Sequence, residues 1–393
     1  MMQRVTAAPA EAPPDIRGAA TTGRILGLDL ARSLAMLGML VTHTLLYPTT
    51  EPKGVLWTVY GRAAPLFVLL AGAGLVLMTR SGRPRVRAAV AVRAVLLLLI
   101  GMALSIEVDG VILQSYALFF LVGLLLLRLP LPGLAGLAAA CLVGGPLLLT
   151  ALDRSGGTGP LGGGVGFESL EDPGGLLRTL ALDHYPAVTW FGFFLVGMLL
   201  ARVDLGSAAV RLRLLAGSAG AAAMLFTAGW IGAERFGPDP LPFSIAPAHP
   251  TTWSGHWTTY GHSGAIGWTL SSTALALTVV GACVCLLARD GVARRLLAAP
   301  VALGQMALTF YLLHFLYLDT VWLDVEPDLT STWPFFLASL VFWCAFAAVA
   351  WGWLQVFRRG PLESVLHAVS SLVVGGPGAV GSPLARAPAV RPT

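Results

Sequence analysis

The hydrophobic positions of this 393-residue chain fall in runs that repeatedly reach the roughly 20 residues needed to cross a bilayer. Ten such runs lie near residues 25 to 47, 60 to 79, 88 to 106, 110 to 127, 131 to 151, 187 to 203, 211 to 233, 264 to 288, 301 to 320 and 333 to 356. The pattern predicts an all-α fold, a polytopic membrane helix bundle of about ten transmembrane helices. Residues 1–23, rich in Ala, Pro and Thr, carry no apolar core, and the first run is too long for a signal-peptide core, so it is expected to stay as an anchor. Residues 24–357 read as one transmembrane domain, flanked by tails at 1–23 and 358–393 that both read as disordered.

Polar positions set the expected orientation. Arg80, Arg83, Arg85 and Arg87 follow the second run, Arg128 the fourth, Arg202, Arg211 and Arg213 the sixth, Arg289, Arg294 and Arg295 the eighth, and Arg358 and Arg359 the tenth. Short loops that collect arginine stay in the cytoplasm, so both termini are expected there. The opposite loops carry most of the carboxylates, including Glu107, Glu168, Glu171, Asp172 and Asp183. Two of those loops, 152–186 and 234–263, are longer than simple connectors and are candidates for function.

Composition narrows the classes. Hydrophobic residues make up 56% of the chain and charged residues 11%, as a membrane protein requires. The net charge of +5 sits mainly in short loops facing anionic lipid heads, so membrane lipids are the expected surroundings and nucleic acid is not an expected partner. Cys141, Cys283, Cys285 and Cys344 fall inside apolar runs without metal-ligand spacing, and no metal is expected. Phosphate-loop, zincin and nucleophile-elbow motifs are lacking. A single lysine, Lys53, beside abundant Ala, Gly, Pro and Arg suits a GC-rich bacterial genome and a bacterial plasma membrane.

Candidate chemistry concentrates in the first run, where Asp29, Arg32 and His43 interrupt apolar sequence at a cost that suggests function. At 100° per residue Arg32 and His43 project within about 20° of one another, with Asp29 about 60° away and the first two roughly 16 Å apart along the axis. Asp29 and Arg32 are spaced to pair with each other, and Arg32 with the basic loop that includes Arg83 and Arg85 is equally suited to phosphate oxygens. His43, His184, His249, His256 and His262 lie toward the outer side, and His314 in the outer half of the ninth run. Histidine is the natural proton-transfer group, so this distribution suits a general base at an outer mouth. Arg62, opening the second run beside Pro65 and Phe67, can snorkel or stabilise an oxyanion.

At these residues the chain resembles a family. Arg32 and His43, with ten residues between them, match the first span of bacterial membrane acyltransferases. Leu28 to Arg32 and Gly61 to Gly72 are similar to the heparan-alpha-glucosaminide N-acetyltransferase-like branch. Further similar stretches are His184 to Trp190, His262-Ser263-Gly264, Gly304 to His314, and Arg359-Gly360-Pro361-Leu362-Glu363. The resemblance implies transfer of an acyl group, acetyl foremost, from cytoplasmic acyl-CoA to an amine or hydroxyl of a carbohydrate or envelope acceptor outside. It implies His43 as general base, with Arg62 and His314 also catalytic. Arg32, Asp29, Arg83 and Arg85 would hold acetyl-CoA, and His184, Tyr185, Trp190 and His262 the acceptor. The animal enzyme has Asn at the position of His43 and its histidine further along the outer loop, whereas residues 48 to 60 here contain none. Heparan sulfate is therefore not expected as substrate.

The alternatives are a carrier of a small polar solute, with the Asp29, Arg32 and His43 stripe as its path, and a non-catalytic sensor or assembly partner. The absence of a visible inverted repeat weakens the carrier reading. A homodimer is compatible with the pattern, which leaves the oligomeric state open.

Overall fold

The computed structural model describes residues 24–45, 60–108, 110–156, 165–183, 185–237, 250–288, 291–322 and 333–375. Among them every regular element is a helix. In chain order these are α1 Leu26–Leu45, α2 Ala63–Thr79, α3 Pro84–Leu104, α4 Leu113–Leu125, α5 Leu131–Arg154, α6 Pro173–Leu182 and α7 Ala187–Leu200. They continue with α8 Ala208–Phe236, α9 Ile266–Leu286, α10 Val292–Leu296, α11 Ala298–Gln305, α12 Ala307–Trp322, α13 Trp333–Val356 and α14 Pro361–Gly375. Proline at the first turn of α3, α6 and α14 starts those helices without wasting a donor, because N-terminal amides have no intrahelical partner.

A helix stands at each of the ten hydrophobic runs. α3, α5, α8, α9 and the Phe336–Val356 part of α13 are long and apolar enough to cross a membrane, and the bent pair α11 and α12 makes a sixth. α2, α4 and α7 are shorter apolar helices, while α1, with 20 residues, reaches about 30 Å. Two segments differ from expectation. The segment after the tenth run is helical over Pro361–Gly375 rather than a disordered tail, because it docks on α3 through Arg93, whose Nε donates to Ser370 Oγ at 3.3 Å. The long loop 152–186 contains α6, a helix too short to span.

Small residues set the closest approaches. A Cβ on Gly72 of α2 would strike the Phe194 carbonyl oxygen of α7, and one on Gly197 would strike the Leu69 carbonyl, so the two backbones cross in direct contact. Ser218 and Thr278 bond at 3.1 Å between α8 and α9, where Gly281 lies against the Leu215 backbone. α1 is enclosed by neighbours: Gly27 packs on Val284 of α9, Gly38 on Ala63 of α2, and the Asp29 carbonyl lies under Gly304 of α11.

Arginines in and beside the loops also bond the backbone. Arg80 donates to the Ala201 carbonyl at 3.0 Å, Arg202 to Leu127 and Leu129, Arg211 to Leu205 and Gly206, and Arg294 to Leu287 at 3.1 Å. Arg80, Arg202 and Arg294 thus meet carbonyls just past a helix C-terminus, where the backbone is short of donors and the dipole favours positive charge, while Arg211 holds the loop that leads into its own helix, α8.

Gly72→Ala should lower stability by about 1–3 kcal/mol through overpacking at the α2–α7 crossing. Gly74→Ala, two residues away with open space around it, should change it by less than about 0.5 kcal/mol. Thermal unfolding in detergent monitored by size exclusion compares the two.

Candidate functional site

The break between α11 and α12 organises the site. The two helices meet at 91°, which leaves a C-terminal carbonyl and N-terminal amides inside the bundle. Charged groups satisfy both ends. Arg32 Nη1 donates to the Gly304 carbonyl at 3.2 Å and to Asp29 Oδ1 at 2.9 Å. From the far end of the chain, Glu363 at the start of α14 accepts from Leu308 N at 2.8 Å, Thr309 N at 3.1 Å and Thr309 Oγ1 at 2.6 Å. A cation therefore closes the negative end of α11 and an anion the positive end of α12.

That cap fixes the helix that carries His314. The imidazole is wholly buried, with Nδ1 2.5 Å from the Tyr311 carbonyl and Nε2 3.1 Å from His43 Nδ1. A carbonyl only accepts, so Nδ1 of His314 holds the hydrogen and Nε2 presents a lone pair to the Nδ1 hydrogen of His43. His43 is then left with a lone pair on Nε2, the tautomer a general base needs. Ring packing holds the pair: His43 and His314 stack with centroids 5.2 Å apart, and Phe315 and Phe310 close the sides. The helix periodicity that put Arg32 and His43 on one face is explained by this arrangement, since that face meets α11 at one end and α12 at the other.

A second cluster forms from the residues expected to bind an acceptor. Tyr185 and Trp190 meet edge to face at 4.8 Å, and the His262 ring stacks on Trp190 at 6.2 Å and on Trp268 at 6.1 Å. His262 has φ +60°, a conformation that costs a non-glycine residue and occurs often at functional sites. It lies over Gly61, whose own φ is +67° and whose Cβ position the His262 ring occupies. Burial pushes the Tyr185 phenol up to about 12, so it stays a donor at neutral pH. Trp190, Trp268 and Tyr311 pack in one apolar cluster with Tyr185 against it, and Tyr311 contacts the His314 ring at 5.4 Å, so the aromatic cluster and the histidine pair adjoin. His184 lies outside the described residues.

Arg62 stands elsewhere. It is 4% exposed, donates to Ser271, Ser272 and the Thr259 carbonyl, and lies over the Phe226 ring. It helps line a cavity of about 250 Å³ with Leu34, Gly38 and Val41, on the face of α1 roughly opposite His43. These contacts tie α2, α8, α9 and the loop that precedes α9 together. Asp29, 3% exposed, is bound by Arg24 as well as Arg32, so its role is to neutralise and orient those two cations. Arg83 and Arg85 are exposed at the start of α3.

Sequence reasoning did not select Glu363, Tyr311 or Trp268. Glu363 had a legible signal, being a carboxylate at the first turn of a proline-started helix, but its partner is 55 residues away in the chain. Trp268, fully buried in an apolar run, gave none.

Two known families match parts of this chain. Residues 24–232 match the family described as heparan-alpha-glucosaminide N-acetyltransferase, catalytic, and residues 240–372 match a family described as protein of unknown function, DUF418. No curated protein matches the chain.

Replacing Glu363 by Ala should destabilise the protein by roughly 1–3 kcal/mol by leaving the α12 amides unsatisfied, while Gln, which retains an acceptor, should recover about half. Thermal melts of the two variants in detergent measure this; equal melts for Ala and wild type would contradict the cap.

Proposed function

Since the chain belongs to the heparan-alpha-glucosaminide N-acetyltransferase catalytic family, we propose that it is a membrane-embedded acyltransferase moving an acyl group, acetyl foremost, from cytoplasmic acyl-CoA to an acceptor on the outer side. The acceptor is an amine or hydroxyl of a sugar or other envelope component of a bacterial plasma membrane. The observation that carries this reading is the hydrogen-bonded series from the Tyr311 carbonyl through His314 to His43. It follows the logic of an oriented base: one group fixes the tautomer of the next, and the last has a lone pair for the incoming nucleophile.

In this reading His43 Nε2 takes the proton of the acceptor as it attacks the thioester carbon, and returns it to the departing thiolate. His314 stabilises the positive charge that forms on His43, since its Nε2 accepts from the same ring. Tyr185, Trp190 and His262 offer ring faces and a phenol donor to the acceptor, a combination suited to the mixed polar and apolar faces of a sugar. With both termini cytoplasmic, Arg83 and Arg85 face the donor side, and their charge suits the phosphates of CoA. Arg32 completes the inner boundary, held by Asp29 and the Gly304 carbonyl.

One observation favours the second reading, solute carriage. Broken helices inside membranes often bind transported ions at their free ends. Here Arg32 and Glu363 fill those ends, which leaves fewer backbone groups to bind a solute and favours catalysis.

Purified protein in detergent should be stabilised by acetyl-CoA and by CoA more than by ATP in a thermal shift, with the shift reduced in Arg83→Ala/Arg85→Ala. His43→Ala should retain the shift while acyl transfer falls by about 10²–10⁴-fold, the usual contribution of a general base. Folded protein that shows no shift with any acyl-CoA would sink the acyltransferase reading.

A further inference from the structure

Acyl transfer needs a donor for the negative charge that gathers on the thioester carbonyl oxygen, and the Arg62 guanidinium is committed to Ser271, Ser272 and Thr259. A different group is poised for that role. Tyr116 on α4 is 5% exposed, and its ring is held among Phe67, Phe119 and Phe120 at centroid distances of 6.4, 6.2 and 6.4 Å. Its hydroxyl has no hydrogen-bond partner among the described residues. Buried phenols normally find an acceptor, and one left unpaired costs stability that a phenylalanine would not. The position of the hydroxyl suggests what it meets. Tyr116 packs in the same apolar cluster as Trp190 and Tyr311, with Tyr185 against it. Tyr311 in turn touches the His314 ring, and its own hydroxyl lies at the Ile112 amide that opens α4.

We propose that the Tyr116 hydroxyl donates a hydrogen bond to the thioester carbonyl oxygen during acyl transfer, an inference that rests on the acyltransferase reading. The acceptor heteroatom forms a bond to the carbonyl carbon as His43 Nε2 takes its proton. The carbonyl π electrons move onto oxygen, where Tyr116 stabilises them. When they return, the carbon–sulfur bond breaks, the thiolate leaves with the electron pair, and the proton held by His43 neutralises it. The phenol gives up no proton at any stage, so it is unchanged over the cycle.

The test is Tyr116→Phe in the full-length, detergent-purified protein, with acetyl-CoA as donor probe, water and glucosamine as acceptor probes, and free thiol as the readout. The variant should melt at or above the wild-type temperature, keep its KM for acetyl-CoA within about twofold, and lose roughly 100-fold in kcat. A wild-type kcat in the variant would overturn the role of Tyr116 and leave the acyltransferase reading standing. A clearly lower melting temperature would overturn the inference too, by showing that the hydroxyl is engaged in the resting fold. Wild-type protein that releases no thiol would overturn both.

Discussion

Breaking a helix inside an apolar bundle leaves backbone groups that only protein can satisfy, and the 91° elbow between α11 and α12 imposes that requirement on the rest of the molecule. Gly304 lets the elbow rest directly on the α1 backbone, since a side chain there would collide with the Asp29 carbonyl. Arg32 then reaches the freed carbonyl, and Glu363 returns from the C-terminal segment to hold the freed amides. The Asp29–Arg32 pair, the docking of α14 and the direction of α12 are consequences of one discontinuity. So is the histidine pair, because His314 lies about one and a half turns beyond the Glu363 cap.

Charge in this bundle is spent mainly on backbone. Arg80, Arg202 and Arg294 each meet carbonyls just past a helix end, Arg211 meets carbonyls of the loop before α8, and Glu363 meets amides. The arginines that favour a cytoplasmic location in their loops thereby also terminate helices, so topology and local stability draw on the same residues. Arg62 follows a related logic at the other end of the bundle, joining α2 to the two serines of α9 and to the loop that precedes it.

The site is assembled from both matched regions. His43, Tyr185 and Trp190 belong to the region 24–232, and His262, His314 and Glu363 to the region 240–372. The contacts between His43 and His314 and between Trp190 and His262 cross that boundary. Neither region alone contains the complete arrangement, so its geometry depends on the packing of one region against the other.

Hydrophobic runs were enough to place the helices, because the cost of leaving backbone polar groups unpaired in an apolar surrounding makes helix the local solution whatever the neighbours do. The spacing of Asp29, Arg32 and His43 was likewise enough to put them on one face, since helical periodicity is a local property. What that face meets is a matter of long-range packing. Chain order gives no measure of the distance from His43 to His314, 271 residues away, or from Thr309 to Glu363, 54 residues away. The C-terminal helix was missed for the same reason: its order depends on Arg93 and the α12 amides rather than on its own composition. Sequence by itself determined the helical class, the helix positions and the polar face of α1, because each follows from solvation and periodicity along a single segment. Tertiary structure decided which histidine orients which, where Arg62 places its hydrogen bonds and that the Tyr116 hydroxyl meets no partner among the described residues, because those depend on donors and acceptors brought together from segments far apart in the chain.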